Sequence, residues 1–71
     1  MGFTNTALLD EKIKKSGKKI AHLAEACGLS RQGFDNCRYN KAYFKTKHIA
    51  ILRNELNIVD LEESEAIFFA H

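Results

Sequence analysis

The sequence predicts an all-α protein, a compact bundle of five short helices without strands. Three observations carry that expectation. Apolar side chains return at spacings of three and four residues, the period of a helix with one buried face. Residues that start and stop helices stand at the ends of those apolar stretches. No proline occurs in the 71 residues, of which 45% are apolar and 28% charged, a composition that folds instead of remaining disordered. One domain over residues 1–71 is expected, near the lower limit at which a single core holds a chain without staples. A partner subunit would therefore help to stabilise it. No internal repeat or low-complexity segment interrupts the chain.

Helix 1 is expected over about 6–16: Leu9 and Ile13 stand four apart, Lys12, Lys14 and Lys15 suit the negative end of the helix dipole, and Gly17 caps the C-terminus. Helix 2, about 19–27, carries Ile20, Leu23, Ala24 and Cys27 at i, i+3, i+4 and i+7 and is closed by Gly28. Ser30 is a good N-cap for helix 3, about 30–38, with Leu29 packing before the cap, Phe34 and Cys37 inward, and Arg31, Gln32, Asp35 and Asn36 outward. After the connecting "YNKAYFK", Thr46 is expected to cap helix 4, about 46–56, with Ile49, Leu52 and Leu56 inward and Asn57 as its left-handed stop. Asp60, with Glu63 three residues on, reads as a capping-box start for helix 5, about 60–69, carrying Leu61, Ala66, Ile67, Phe68 and Phe69.

Charge is divided unevenly. Residues 1–54 hold eleven Lys and Arg against four acidic residues, a surplus of seven, whereas residues 55–71 hold five acidic residues and no Lys or Arg. The larger part attracts polyanions and the tail repels them. No stretch approaches the roughly 20 apolar residues of a membrane span, and the N-terminus lacks the apolar run of a signal peptide, so a cytoplasmic protein without a membrane partner is expected. Cys27 and Cys37 both fall at apolar-periodic positions and read as reduced core thiols. Two cysteines and three scattered histidines do not make a metal site, and no cofactor is implied. With no nucleophile–base pair, phosphate-cradling glycine loop or carboxylate dyad in view, neither an enzyme nor a small-molecule substrate is expected.

The junction at 24–30 is the most informative stretch. A helix that ends and is followed at once by another at a steep angle needs a residue with positive φ, which Gly28 supplies. Ala24 sits where the two helices approach most closely, and Leu29 plugs the turn from below. With Phe34 and Cys37 facing inward, this spacing describes a helix-turn-helix.

The segment "LAEACGLSRQGF", residues 23–34, resembles the "LAxxxGxSxxxI" pattern of the Cro/CI-like helix-turn-helix regulators of temperate bacteriophages. "HIAILRNELNI" and the ending "DLEESEAIFFA" are also similar to small Cro-type proteins of Gram-positive phages, so the resemblance covers nearly the whole chain. It implies a lambda-repressor-like DNA-binding domain whose third helix lies in the major groove. It further implies that Ser30, Arg31, Gln32 and Asn36 read bases, with Gly33 allowing close backbone approach. The side chains suit that work: Arg grips a guanine O6/N7 edge bidentately, and Gln or Asn an adenine N6/N7 edge. Phosphate contacts would come from Lys18, Lys19, Tyr39, Asn40, Lys41, Tyr43, Lys45 and Lys47. The chain departs from the family in two places. Ile20 stands where a phosphate-touching Gln is common, and Asp35 would repel phosphates unless it accepts from a cytosine amino group or pairs with a nearby Arg or Lys.

The resemblance implies double-stranded operator DNA as partner, a homodimer on a pseudo-palindromic site, and a Cro-like repressor in a phage genetic switch. The alternative from a different class is an antirepressor that binds the phage's main repressor protein and alters its operator choice. His22 reads as a surface residue, and His48 either touches phosphate or is idly exposed. Phe44 is expected in the core. Adjacent helical residues point about 100° apart, so Phe68 and Phe69 either leave one ring exposed as an association surface or both complete a thin core against helix 1 and Phe3.

Overall fold

The computed structural model describes residues 3–69, which form five helices and no strand. The elements are α1 (Thr6–Ser16), α2 (Ile20–Ala26), α3 (Arg31–Arg38), α4 (Thr46–Glu55) and α5 (Leu61–Phe68). The protein is an all-α bundle with a radius of gyration of 10.7 Å. α2 packs on α3 and α4, and α1 packs on α5.

Each helix sends one side chain to the centre. Leu9, Leu23, Phe34, Leu52 and Ile67 are all less than 2% exposed, one from each of α1 to α5. Burying each is worth roughly 1.5–3 kcal/mol, and this shared centre supplies what short helices lack in isolation. Phe44, in the α3–α4 connection, ties the aromatic part of the core together. Its ring meets Phe34 edge-on with centroids 5.6 Å apart, and Phe68 at 5.8 Å. Cys27 and Cys37 are free, buried thiols whose pKa is pushed up by that burial.

Three of the connections use one device. The chain leaves α2, α3 and α4 through a residue in the left-handed region: Gly28 (φ 73°), Asn40 (φ 65°) and Asn57 (φ 57°). In each, the next N–H turns back onto the helix: Leu29 donates to the Ala24 carbonyl (2.9 Å), Lys41 to Asn36 (2.7 Å) and Ile58 to Arg53 (2.8 Å). These bonds satisfy carbonyls that a helix end would otherwise strand, the Schellman pattern. Ile58, the apolar residue after Asn57, is only 2% exposed and belongs to the core.

Three local expectations are corrected. Lys45, not Thr46, precedes α4, and the cap comes from His48, whose Nδ1 accepts the Lys45 N–H at 3.2 Å. His48 is therefore neither idly exposed nor free to meet phosphate: it is 5% exposed and lies edge-on to Phe44. Glu63 does not close a capping box on Asp60. It reaches across to Lys12 on α1 at 2.8 Å, while Asp60 accepts the Glu62 N–H. Leu61 and Ala66 face solvent, leaving Ile67 and Phe68 as the apolar contribution of α5. The Phe68 ring is buried and the Phe69 ring is 48% exposed.

Candidate nucleic-acid interface

The α2–turn–α3 unit is assembled from local chemistry. α2 ends at Ala26, and its last carbonyls are taken up by the backbone of the turn: Gly28 N–H donates to Glu25 O and Leu29 N–H to Ala24 O, both at 2.9 Å. Ser30 then starts α3, its Oγ accepting the Gly33 N–H at 3.0 Å. A side chain at Gly33 would begin 3.3 Å from that oxygen and 3.8 Å from Leu29, so the glycine makes room for the cap. Ala24, Phe34 and Cys37 are buried where α2 and α3 meet, and Leu29 is half-buried against the core below the turn.

The opposite face of α3 carries Arg31 and Gln32, both exposed, with Asp35 and Asn36 half-buried a turn later. They are linked in pairs along the helix. Arg31 Nε donates to Asp35 Oδ2 at 3.3 Å, and Gln32 Nε2 donates to Asn36 Oδ1 at 3.0 Å. Asp35 is not a free negative charge on this face, since its other oxygen accepts from Arg38 Nη1 at 3.2 Å. The terminal nitrogens of Arg31, the Gln32 carbonyl and the Asn36 amide nitrogen have no hydrogen-bond partner among the described residues.

Arg38 is the residue that sequence reasoning missed. It looks like one more outward polar residue of α3, yet it is only 8% exposed. Its Nε lies 3.0 Å from Asp10 Oδ1 on α1, a charge contact out of line for a hydrogen bond. Its Nη2 donates to the Tyr39 hydroxyl, and its guanidinium carbon stands 4.6 Å from the Tyr39 ring centroid. The backbone carbonyl of Arg38 accepts from Thr6 Oγ1 at 2.6 Å. Arg38 thus ties the end of α3 to the start of α1. The only available signal was an Arg with two acidic residues, Asp10 and Asp35, at plausible helical positions.

The eight expected phosphate contacts divide into two groups. Lys41, Lys45 and Lys47 are exposed along the α3–α4 connection and the start of α4, with Tyr43 57% exposed among them. Lys19 is exposed at the start of α2. Among the described residues no carboxylate lies within ion-pair distance of these four lysines. The Tyr39 ring is exposed, and its hydroxyl, which accepts from Arg38, keeps its proton to donate. The other two have internal partners. Lys18 pairs with Glu55 on α4 at 2.9 Å, beside His22, whose Nε2 lies 2.9 Å from the same oxygen. The Lys18 hydrogen bond, then that of His22, holds the Glu55 carboxyl below its ordinary range. Asn40 clamps the N-terminal segment: its Oδ1 accepts from Thr4 N–H at 2.9 Å and its Nδ2 donates to Thr4 O at 3.0 Å. Lys18 and Asn40 therefore serve the fold.

Among the described residues no group of three or more His, Cys, Asp or Glu is placed to hold a metal ion, and no helix is long and apolar enough to cross a membrane. Comparison of the chain with protein-family models, with curated proteins and with solved structures gives no match.

Proposed function

We propose that this chain is a sequence-specific DNA-binding regulator of the Cro type, with α2 and α3 acting as a helix-turn-helix and α3 entering the major groove. The observation that carries the reading is the division of α3. One face, Phe34 and Cys37, is locked into the core, and the other offers unpartnered Arg, Gln and Asn donors and acceptors, with a run of unpaired lysines continuing from its C-terminal end. Arg31, Gln32 and Asn36 read base edges, and Lys19, Lys41, Lys45 and Lys47 hold phosphates. Ser30 has given its oxygen to the helix cap and keeps only its hydroxyl proton for DNA. Eight residues of α3 span about 12 Å, enough for roughly four base pairs. With a longest extent of 26 Å the chain cannot bridge half-sites about 34–36 Å apart, so a palindromic operator requires two copies.

A second reading keeps its place because of α5. Phe69 and Leu61, 48% and 62% exposed, flank the acidic Glu62 and Glu65 on a surface unsuited to DNA. A protein partner, the phage repressor of the antirepressor reading, would bind there. One titration separates the two. Fluorescence anisotropy against a selected duplex and a random duplex at about 50 and about 200 mM salt, a range over which phosphate contacts weaken, gives selective and steeply salt-dependent binding for the regulator. Weak, unselective binding at both salts, with co-elution of the repressor, would decide for the antirepressor.

A further inference from the structure

We propose that Asp35 is a positioning residue for sequence readout: it holds Arg31 through Nε so that the two terminal nitrogens of the guanidinium project as a preset fork for a guanine edge. This rests on the DNA-binding reading and deepens it. Four charges of alternating sign run in a row from α1 along α3, with Arg38 as the buried member. Asp10 on α1 faces Arg38 Nε at 3.0 Å, Arg38 Nη1 donates to Asp35 Oδ1 at 3.2 Å, and Asp35 Oδ2 accepts from Arg31 Nε at 3.3 Å. The inner end is rigid, because Arg38 is 8% exposed and is held by Asp10, Asp35 and the Tyr39 hydroxyl and ring. Only the outermost member, Arg31, is largely in solvent.

A guanidinium meets guanine O6 and N7 through two donors, either Nε with one terminal nitrogen or both terminal nitrogens. With Nε taken by Asp35, only the end-on pair is left, and the contact favours those Arg31 rotamers that present it. Each Asp35 oxygen already accepts from an arginine, so the carboxylate serves Arg31 and Arg38 first. Removing its charge has two opposed effects. Nearby phosphates are repelled less, so binding to any duplex holds or strengthens. Arg31 loses its tether, so discrimination at one base pair falls.

The test uses the full chain and a duplex selected by the wild type from a random pool, with all single-base variants titrated against wild type, Asp35→Asn, Arg31→Ala and the double variant. Asp35→Asn is expected to lose roughly tenfold in discrimination, at the base pair where Arg31→Ala also loses it, while keeping or gaining affinity for random duplex. In the Arg31→Ala background Asp35→Asn should cause no further loss of discrimination, whatever it does to affinity for random duplex, which a general structural role would not produce. Should Asp35→Asn melt below the titration temperature, Asp35→Glu serves: it keeps the charge, moves the carboxylate, and should lose the discrimination without the gain on random duplex. Unchanged discrimination in Asp35→Asn, or a second loss on top of Arg31→Ala, overturns the proposal while leaving the DNA reading intact. A wild type that selects no sequence overturns both, and that result needs no variant to see.

Discussion

Replacing Gly28 tests the turn between α2 and α3 through the backbone alone. At φ 73° the residue is left-handed, and no atom lies within 4 Å of where a Cβ would stand. Gly28→Ala therefore removes no contact and creates no clash. An L-residue in this region costs about 1–2 kcal/mol, and the lower entropy of the unfolded alanine chain returns about 0.4–1 kcal/mol. The net loss is about 1 kcal/mol, taken from the roughly 4–10 kcal/mol expected of 71 residues. In a thermal melt followed by circular dichroism that lowers Tm by about 4–8 °C. Gly28→Asn provides the internal control. The chain already places Asn40 and Asn57 at the same station behind α3 and α4, so asparagine should cost clearly less than alanine. At a temperature where every variant is folded, DNA affinity should be unchanged. An alanine variant that melts with the wild type, or an asparagine variant that falls as far as the alanine one, would refute the backbone argument.

Three further outcomes follow from the same packing. Phe34→Ala removes a fully buried ring and its edge-on contact with Phe44, a loss of about 3–5 kcal/mol and so a large share of the expected stability, whereas Phe69→Ala should move urea denaturation by no more than about 0.5 kcal/mol. Lys47→Ala should weaken binding to all duplexes alike and reduce the slope of log affinity against log salt by about 1, and a change confined to one base pair would instead make Lys47 a base contact. His48 is held neutral by burial, then by Lys47 and Lys45, with its pKa below the ordinary value. Its folded value being depressed, its contribution is complete above pH of about 6.5 and is lost as pH falls from there through the folded-state value. His48→Gln should flatten that part of the stability curve, and an unchanged slope between wild type and variant would remove His48 as its source.

What could be read from the sequence, and what could not, divides by the distance over which each interaction acts. The α2–α3 junction was legible because Gly28 and Ser30 act within three or four residues: one supplies a backbone conformation, the other caps the next N–H groups. The helix stops at Gly17 and Asn57 are of the same kind. Ile58 could have been found as well, since the residue after a left-handed cap commonly packs back on the helix it leaves. The direction of Leu61 was not legible, for a related reason. An apolar residue directly after an N-cap lies on a turn whose facing direction depends on how the helix docks, and α5 docks through Ile67 and Phe68.

The other misreadings concern polar residues whose partners come from elsewhere in the chain. Asn40, expected at a phosphate, grips Thr4, 36 positions earlier. Lys18 finds Glu55, 37 positions later. Periodicity separates apolar from polar positions, but it assigns all polar ones to solvent, and Arg38 shows the physical limit of that rule. A guanidinium can be buried when carboxylates and an aromatic face surround it, and those groups are brought together only by the packed bundle. The consequence reaches the candidate interface directly. Among the described residues Lys19, Lys41, Lys45 and Lys47 have no acidic partner, and the charge of Asp35 is shared with Arg38 and Arg31. On the DNA-binding reading the surface for a polyanion is then found by subtraction: the charges that α1, α4 and the N-terminal segment consume are removed, and what is left lies on α3, at the start of α2 and along the connection to α4.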